Sequence, residues 1–205
     1  GVSGSSVFPN DFNYYCTITA TKAGDSNYNA VSDTKNVTVN AANQAPLSLM
    51  MPALTVGGTG QATVSGGSGT GGVSYSTSTP TVCGVSSTVQ GLLNGIVAGT
   101  CSVPATKAGD GSYNSISDTN SIVIPKLNQA PFSLMMPTSL APGGTGQATV
   151  TGGSGTGGVS YSTSSPTVCD VSSTGLLTGI AGGTCSVTAT KAADGSYNAV
   201  SDTKS

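Results

Sequence analysis

Along most of the chain, apolar and polar residues alternate one for one over short runs, and each run closes on Gly, Asn, Asp, Ser or Pro. Residues 100–106 are typical: Cys101, Val103 and Ala105 fall on one side, Ser102, Pro104 and Thr106 on the other. A period of two sends successive side chains to opposite faces of an extended chain, so such runs predict half-buried β-strands. Within residues 43–127 the pattern predicts strands near 47–51, 61–65, 73–78, 81–86, 91–96, 100–106 and 121–124. No segment has apolar residues at helical spacing. Seven short strands bounded by turn residues in about 85 positions suit a sandwich, so the expected fold class is all-β with antiparallel sheets. The same parity puts Cys83 with Val85, and both Cys83 and Cys101 on inward faces.

The pattern is also repeated. NQAPLSLMMP at 43–52 returns as NQAPFSLMMP at 128–137, 85 residues on, and GGTGQATVSGGSGTGGVSYSTSTPTVC, ending at Cys83, returns almost unchanged to end at Cys169. A third block occurs three times: TATKAGDSNYNAVSDT from Thr19, PATKAGDGSYNSISDT from Pro104 and TATKAADGSYNAVSDT from Thr188. A fixed period of this length marks a tandem array of small domains. The expected division is 1–42 as the closing half of a repeat, 43–127 as a complete repeat, and 128–205 as a repeat short of its final strand. On this reading the 205 residues are a window in a longer array. The competing expectation is a separate subunit whose open edge takes a strand from the next copy and so builds a fibre.

Composition narrows the chemistry. Only 7% of residues are charged, with no His among them, and the sequence contains no Glu or Arg. A Ser or Cys nucleophile would have no imidazole base, and a phosphate or guanine would find no bidentate guanidinium. The net charge of −2 gives no positive footprint for nucleic acid. No apolar run reaches the roughly 18 residues of a membrane span. The expectation is no enzyme, no cofactor, no metal, no nucleic-acid partner and no membrane insertion in this segment.

The block GGTGQATVSGGSGTGGVSYS, the Thr100–Val103 step T-x-C-x-V and ATKAGDGSYN at 105–114 together resemble the bacterial immunoglobulin-like tandem repeats of long extracellular adhesins and other surface proteins. The resemblance implies immunoglobulin-like β-sandwiches and a stalk or spacer role, and brings no catalytic residues with it. Residues 7–15, VFPNDFNYY, depart from the pattern by replacing the 92–98 region with aromatic and polar residues.

Repeat alignment equates Cys16, Cys101 and Cys185, leaving one pair in each later repeat. Cys83–Cys101 and Cys169–Cys185 disulfides are expected, and with them an oxidising compartment. Cys16 is left unpaired or paired outside the chain. Asp25, Asp110 and Asp194 stand at turn positions, and Tyr28, Tyr113 and Tyr197 three residues later read as corner tyrosines with ring inward and hydroxyl on backbone. Calcium at these loops is the weaker reading, because each offers two Asp and no Glu against the six to eight oxygens calcium takes. Gly-rich 66–72 and 152–158 contain the spacing G-x-G-x-x-G, but an alternating strand follows where a dinucleotide loop needs a helix, so a flexible connection is expected. Met50, Met51, Met135 and Met136 read as core or junction packing. The function expected is that of a structural repeat segment of an extracellular or cell-surface fibre, stalk or filament, with neighbouring repeats or copies of itself as partners. The alternative is an adhesin module binding carbohydrate or a host surface, for which residues 8–15 hold the only cluster of aromatics.

Overall fold

The structure is a computed structural model that describes residues 14–205, whose regular elements are all strands, joined by bridges, turns, bends and irregular connections. Eighteen strands follow in order: β1 (Tyr14–Lys22), β2 (Val31–Val39), β3 (Leu47–Met50), β4 (Thr59–Gln61), β5 (Thr63–Gly66), β6 (Val73–Tyr75), β7 (Cys83–Val85), β8 (Leu92–Gly95), β9 (Gly99–Lys107), β10 (Ile116–Ile124), β11 (Phe132–Met135), β12 (Thr145–Gln147), β13 (Thr149–Gly152), β14 (Val159–Thr163), β15 (Cys169–Val171), β16 (Leu176–Gly179), β17 (Val187–Lys191) and β18 (Val200–Lys204). The expected residues 7–13 of the divergent segment lie outside the described residues.

One sheet pattern is built twice. The sheets β3-β5, β6-β9-β10 and β4-β8-β7 recur as β11-β13, β14-β17-β18 and β12-β16-β15, and β1-β2 stands as a two-stranded ribbon. The chain groups into two compact units. One comprises the described part of Gly1–Met50 with Thr63–Tyr75 and Pro104–Thr119; the other comprises Met51–Ala62, Ser76–Val103 and Asn120–Ser205.

In the second unit, Leu134, Ala148, Leu177, Val187 and Ala189 form a buried cluster with Phe132, Leu140, Val150, Tyr161 and Val171 packed against it. Cys83, Leu93, Cys101 and Val103 are fully buried as well. In the first unit Leu47, Leu49 and Ala105 are buried. The alternation read from the sequence is the burial pattern of β9, where Cys101, Val103 and Ala105 are buried and the residues between them are partly exposed.

Three features differ from the expectation. The single run at 61–65 is two strands in two sheets, broken at Ala62, whose N–H donates to the Gly91 carbonyl at 2.8 Å. Ala148 repeats this break with Gly175. A one-residue switch of sheet leaves parity almost intact, so periodicity does not reveal it. β10 begins at Ile116, five residues before the predicted 121, because its first half is held by polar cross-strand contacts such as Thr106 Oγ1 to Ser117 Oγ at 2.8 Å. Met50 and Met135 are exposed rather than packed: in β3 and β11 the inward positions belong to Leu49 and Leu134.

The ribbon needs a fourth correction. Tyr28 is 77% exposed, not seated in a core, and Ile18, Val37 and Val39 are open too. Val103 and Ile124, their counterparts of Ile18 and Val39 in the next repeat, are 0% and 1% exposed. The physical reason is that, among the described residues, no opening half-sandwich faces β1-β2.

Candidate functional site

No cluster of three or more His, Cys, Asp or Glu positioned to hold a metal occurs among the described residues. The polar groups that do converge lie where each repeat begins, around the turn that follows its long strand. Asp110 sits in the turn after β9. Its carboxylate accepts from the N–H groups of Thr70 at 2.7 Å, Ser112 at 2.8 Å and Tyr113 at 3.0 Å, and from the Thr70 hydroxyl. Asp194, after β17, takes the same partners one repeat on: the N–H groups of Thr156 at 2.6 Å, Ser196 at 2.8 Å and Tyr197 at 2.8 Å. Asp25 accepts from the N–H groups of Asn27 and Tyr28. These are turns in which a carboxylate substitutes for a backbone acceptor.

The Gly-rich connection supplies the second wall. Gly69 and Gly155 have φ of +75° and +74°, and a Cβ on either would run into the carboxylate of Asp110 or Asp194. The glycines are therefore needed so that the 66–72 and 152–158 connections can close on the acidic turn, not to cradle a phosphate. Replacing Gly155 by Ala is expected to cost more than about 1 kcal/mol, since both φ and space are wrong for it. Urea unfolding of the variant against wild type checks this.

Gln44 and Gln129 form the third part and were not singled out in the sequence. Gln44 is 8% exposed. Its amide donates to the carbonyls of Lys107, Ala108 and Asn114, and its Oε1 accepts from Ser68 N–H at 3.1 Å. Gln129 does the same with Lys191, Ala192, Asn198 and Ser154. The available signal was the exact return of Asn-Gln-Ala-Pro at both repeat entrances. The entrance backbone is held too: Ala42 N–H donates to Ser112 O and Asn114 N–H to Ala42 O, both at 2.8 Å, and Leu127 makes the same exchange with Ser196 and Asn198.

Several charge-assisted bonds to one carboxylate favour its ionised form. The N–H groups of Ser196, Thr156 and Tyr197 pull Asp194 down from 3.8 to about 2, and the Thr70 N–H leads the lowering of Asp110. Asp202 is lowered as well, first by the Leu134 N–H that donates to it at 2.8 Å. A carboxylate whose folded pKa lies below its unfolded value contributes stability that is complete above the unfolded value and lost as the pH falls through the folded one. Stability is therefore expected to fall as the pH drops from about 4 towards 2. In Asp194→Asn that loss should shrink, which urea midpoints at stepped pH will show.

Cys83 is joined to Cys101 and Cys169 to Cys185, with Cα–Cα distances of 5.6 Å in each, and Cys16 carries an exposed free thiol. Tyr113 and Tyr197 are partly exposed, and what the structure shows of them is backbone engagement: their carbonyls accept from Asp110 N–H and Asp194 N–H. Beside β18 lies a groove of about 580 Å³ lined by Leu134, Leu140, Val168, Leu177 and the Cys169–Cys185 bridge. In the middle repeat Ile124 Cδ1 lies 3.3 Å from where a Gly95 Cβ would stand.

The fold is thus a tandem of immunoglobulin-like antiparallel β-sandwiches. Residues 130–200 match the family described as bacterial Ig-like domain (group 2). The match supports a surface module of structural or adhesion type over those residues. No curated protein matches the sequence. Among solved structures, the chain is similar to the surface layer protein SbsC, domains 1–6, at 16% identity and a TM-score of 0.32, over 93% of this chain and 35% of that one. It is similar also to protocadherin gamma B7 extracellular cadherin domains 1–4 at 16% identity and a TM-score of 0.34, over 94% and 56%, and to Drosophila N-cadherin EC1–4 at 10% and 0.29, over 96% and 58%. The chain therefore spans about a third of the surface-layer chain and just over half of each cadherin chain.

Proposed function

We propose that this chain is a run of structural repeats in an extracellular bacterial surface fibre or stalk, divided at 1–42, 43–127 and 128–205, and that it acts by spacing and assembly. The observation that carries this reading is the duplication of the entrance clasp: Gln44, Asp110 and Ala42 in one repeat do what Gln129, Asp194 and Leu127 do in the next. Identical internal fastenings in successive repeats are what a spacer needs. Partners are neighbouring repeats or further copies, with Cys16 unpaired or paired outside the chain. The disulfides support an oxidising setting.

Electron microscopy of native material labelled with antibody to residues 43–205 tests the proposal. Label along surface fibres or stalks is expected. Label confined to the cytoplasm overturns it, and saturable binding of the purified chain to a polysaccharide array, without labelled fibres, favours the adhesin reading instead.

A further inference from the structure

The 194–198 turn is gripped from two sides. On one side is the segment leading into its own repeat: Leu127 N–H donates to Ser196 O and Asn198 N–H to Leu127 O, each at 2.8 Å, and Leu127 forms an isolated parallel bridge with Tyr197. On the other is the preceding repeat. Ala98, at the tip between β8 and β9, donates its N–H to the Gly195 carbonyl at 3.1 Å. All of these residues belong to the second compact unit. The three acceptor and donor groups point usefully only if residues 194–198 keep one shape, and that shape is set by Asp194, which ties Ser196, Tyr197 and Thr156 to a single carboxylate.

We propose that the 194–198 turn is the coupling element of the joint between consecutive sandwiches, and that Asp194 is its positioning residue, holding the turn so that it receives Leu127 from one side and the Ala98 tip from the other. This rests on the repeat boundaries proposed above. Two consecutive Ig-like domains joined only by a short peptide rotate freely unless backbone bonds cross the junction. Here they cross it through a turn that is rigid for reasons internal to the downstream repeat. The coupling is made by main-chain groups, so it tolerates sequence change at the tip. It depends on a carboxylate one to four residues away from the bonds it controls.

Amide hydrogen exchange on the full 205-residue chain reads this directly. In Asp194→Ala the amides of Ala98, Leu127 and Asn198 are expected to exchange about tenfold faster, the scale of one lost charge-assisted bond. Amides of the β14-β17 pair should change far less. Asp194→Asn, which keeps one acceptor oxygen, should recover part of the protection. Ala98→Pro removes the donor from the tip without touching the turn. It should leave Leu127 and Asn198 protected, while residual dipolar couplings of 76–103 and 128–205, expected to fit one alignment tensor in the wild type, separate into two. Unchanged exchange at the three amides in Asp194→Ala overturns the proposal. Equal acceleration throughout 128–205 overturns it too, because Asp194 would then only stabilise its own fold. If Asp194→Ala does not fold, a single tensor in Ala98→Pro is enough to refute it. The repeat boundaries fail on a separate result, limited proteolysis of the full chain cutting inside 43–127 or 128–205 before it cuts between them.

Discussion

Leu93→Ala and Leu177→Ala will each destabilise the protein by about 2–5 kcal/mol, the range for deleting a buried leucine. Both side chains are fully buried and occupy equivalent places in successive repeats, opposite Gly60 and Gly146 in the paired strands. The cost of a cavity grows with the volume that cannot collapse, and a glycine opposite the leucine has no side chain with which to fill it. Urea midpoints of the two variants, with unchanged slopes, check it. A loss below about 1 kcal/mol in either would show that the core closes over the missing side chain.

Removing the Cys169–Cys185 bridge as a double Ala variant is expected to cost about 3 kcal/mol, the chain-entropy value for a loop of this size. The sequence separation is 16 residues, against 18 for Cys83–Cys101, so the entropic contribution of the two bridges is nearly the same. What differs is the surroundings: Cys101 is fully buried, whereas Cys185 is partly exposed. Mild reductant should therefore open 169–185 first and shift one part of the unfolding transition before the other. Following thiol release by mass spectrometry during a reductant titration gives the order. Simultaneous release would show that exposure does not govern access here.

The strands were legible because alternation is a local signal. Cys101, Val103 and Ala105 announce their face without reference to any other part of the chain, and the two cysteine pairs followed once the repeats were aligned. The features that escaped are those that depend on a distant partner. Nothing local distinguishes Ala62 from a mid-strand residue until Gly91 is known to accept its N–H. Gln44 looks like a solvated linker residue until Lys107, Ala108 and Asn114 are brought around its amide. Asp118 carries no local signal of its role, yet its carboxylate accepts from Leu49 N–H at 2.7 Å and so fastens the edge of β3, as Asp202 does for Leu134. The glycines of 66–72 read locally as a flexible connection, whereas the structure holds that connection closed on Asp110. Their reason, the approach to Asp110, lies 40 residues away.

The outer faces of the long hairpins are covered by hydroxyl pairs: Thr19 with Thr34, Thr21 with Ser32, Thr106 with Ser117, Thr188 with Thr203 and Thr190 with Ser201, at 2.8–3.0 Å. Such cross-strand pairs stabilise a sheet without any ionic contribution. Because ionic strength weakens attraction between exposed charges but leaves neutral hydrogen bonds nearly untouched, a surface made this way behaves alike in rainwater and in brine. The long hairpins therefore keep these cross-strand bonds from dilute to concentrated salt, where a surface held by ion pairs would loosen.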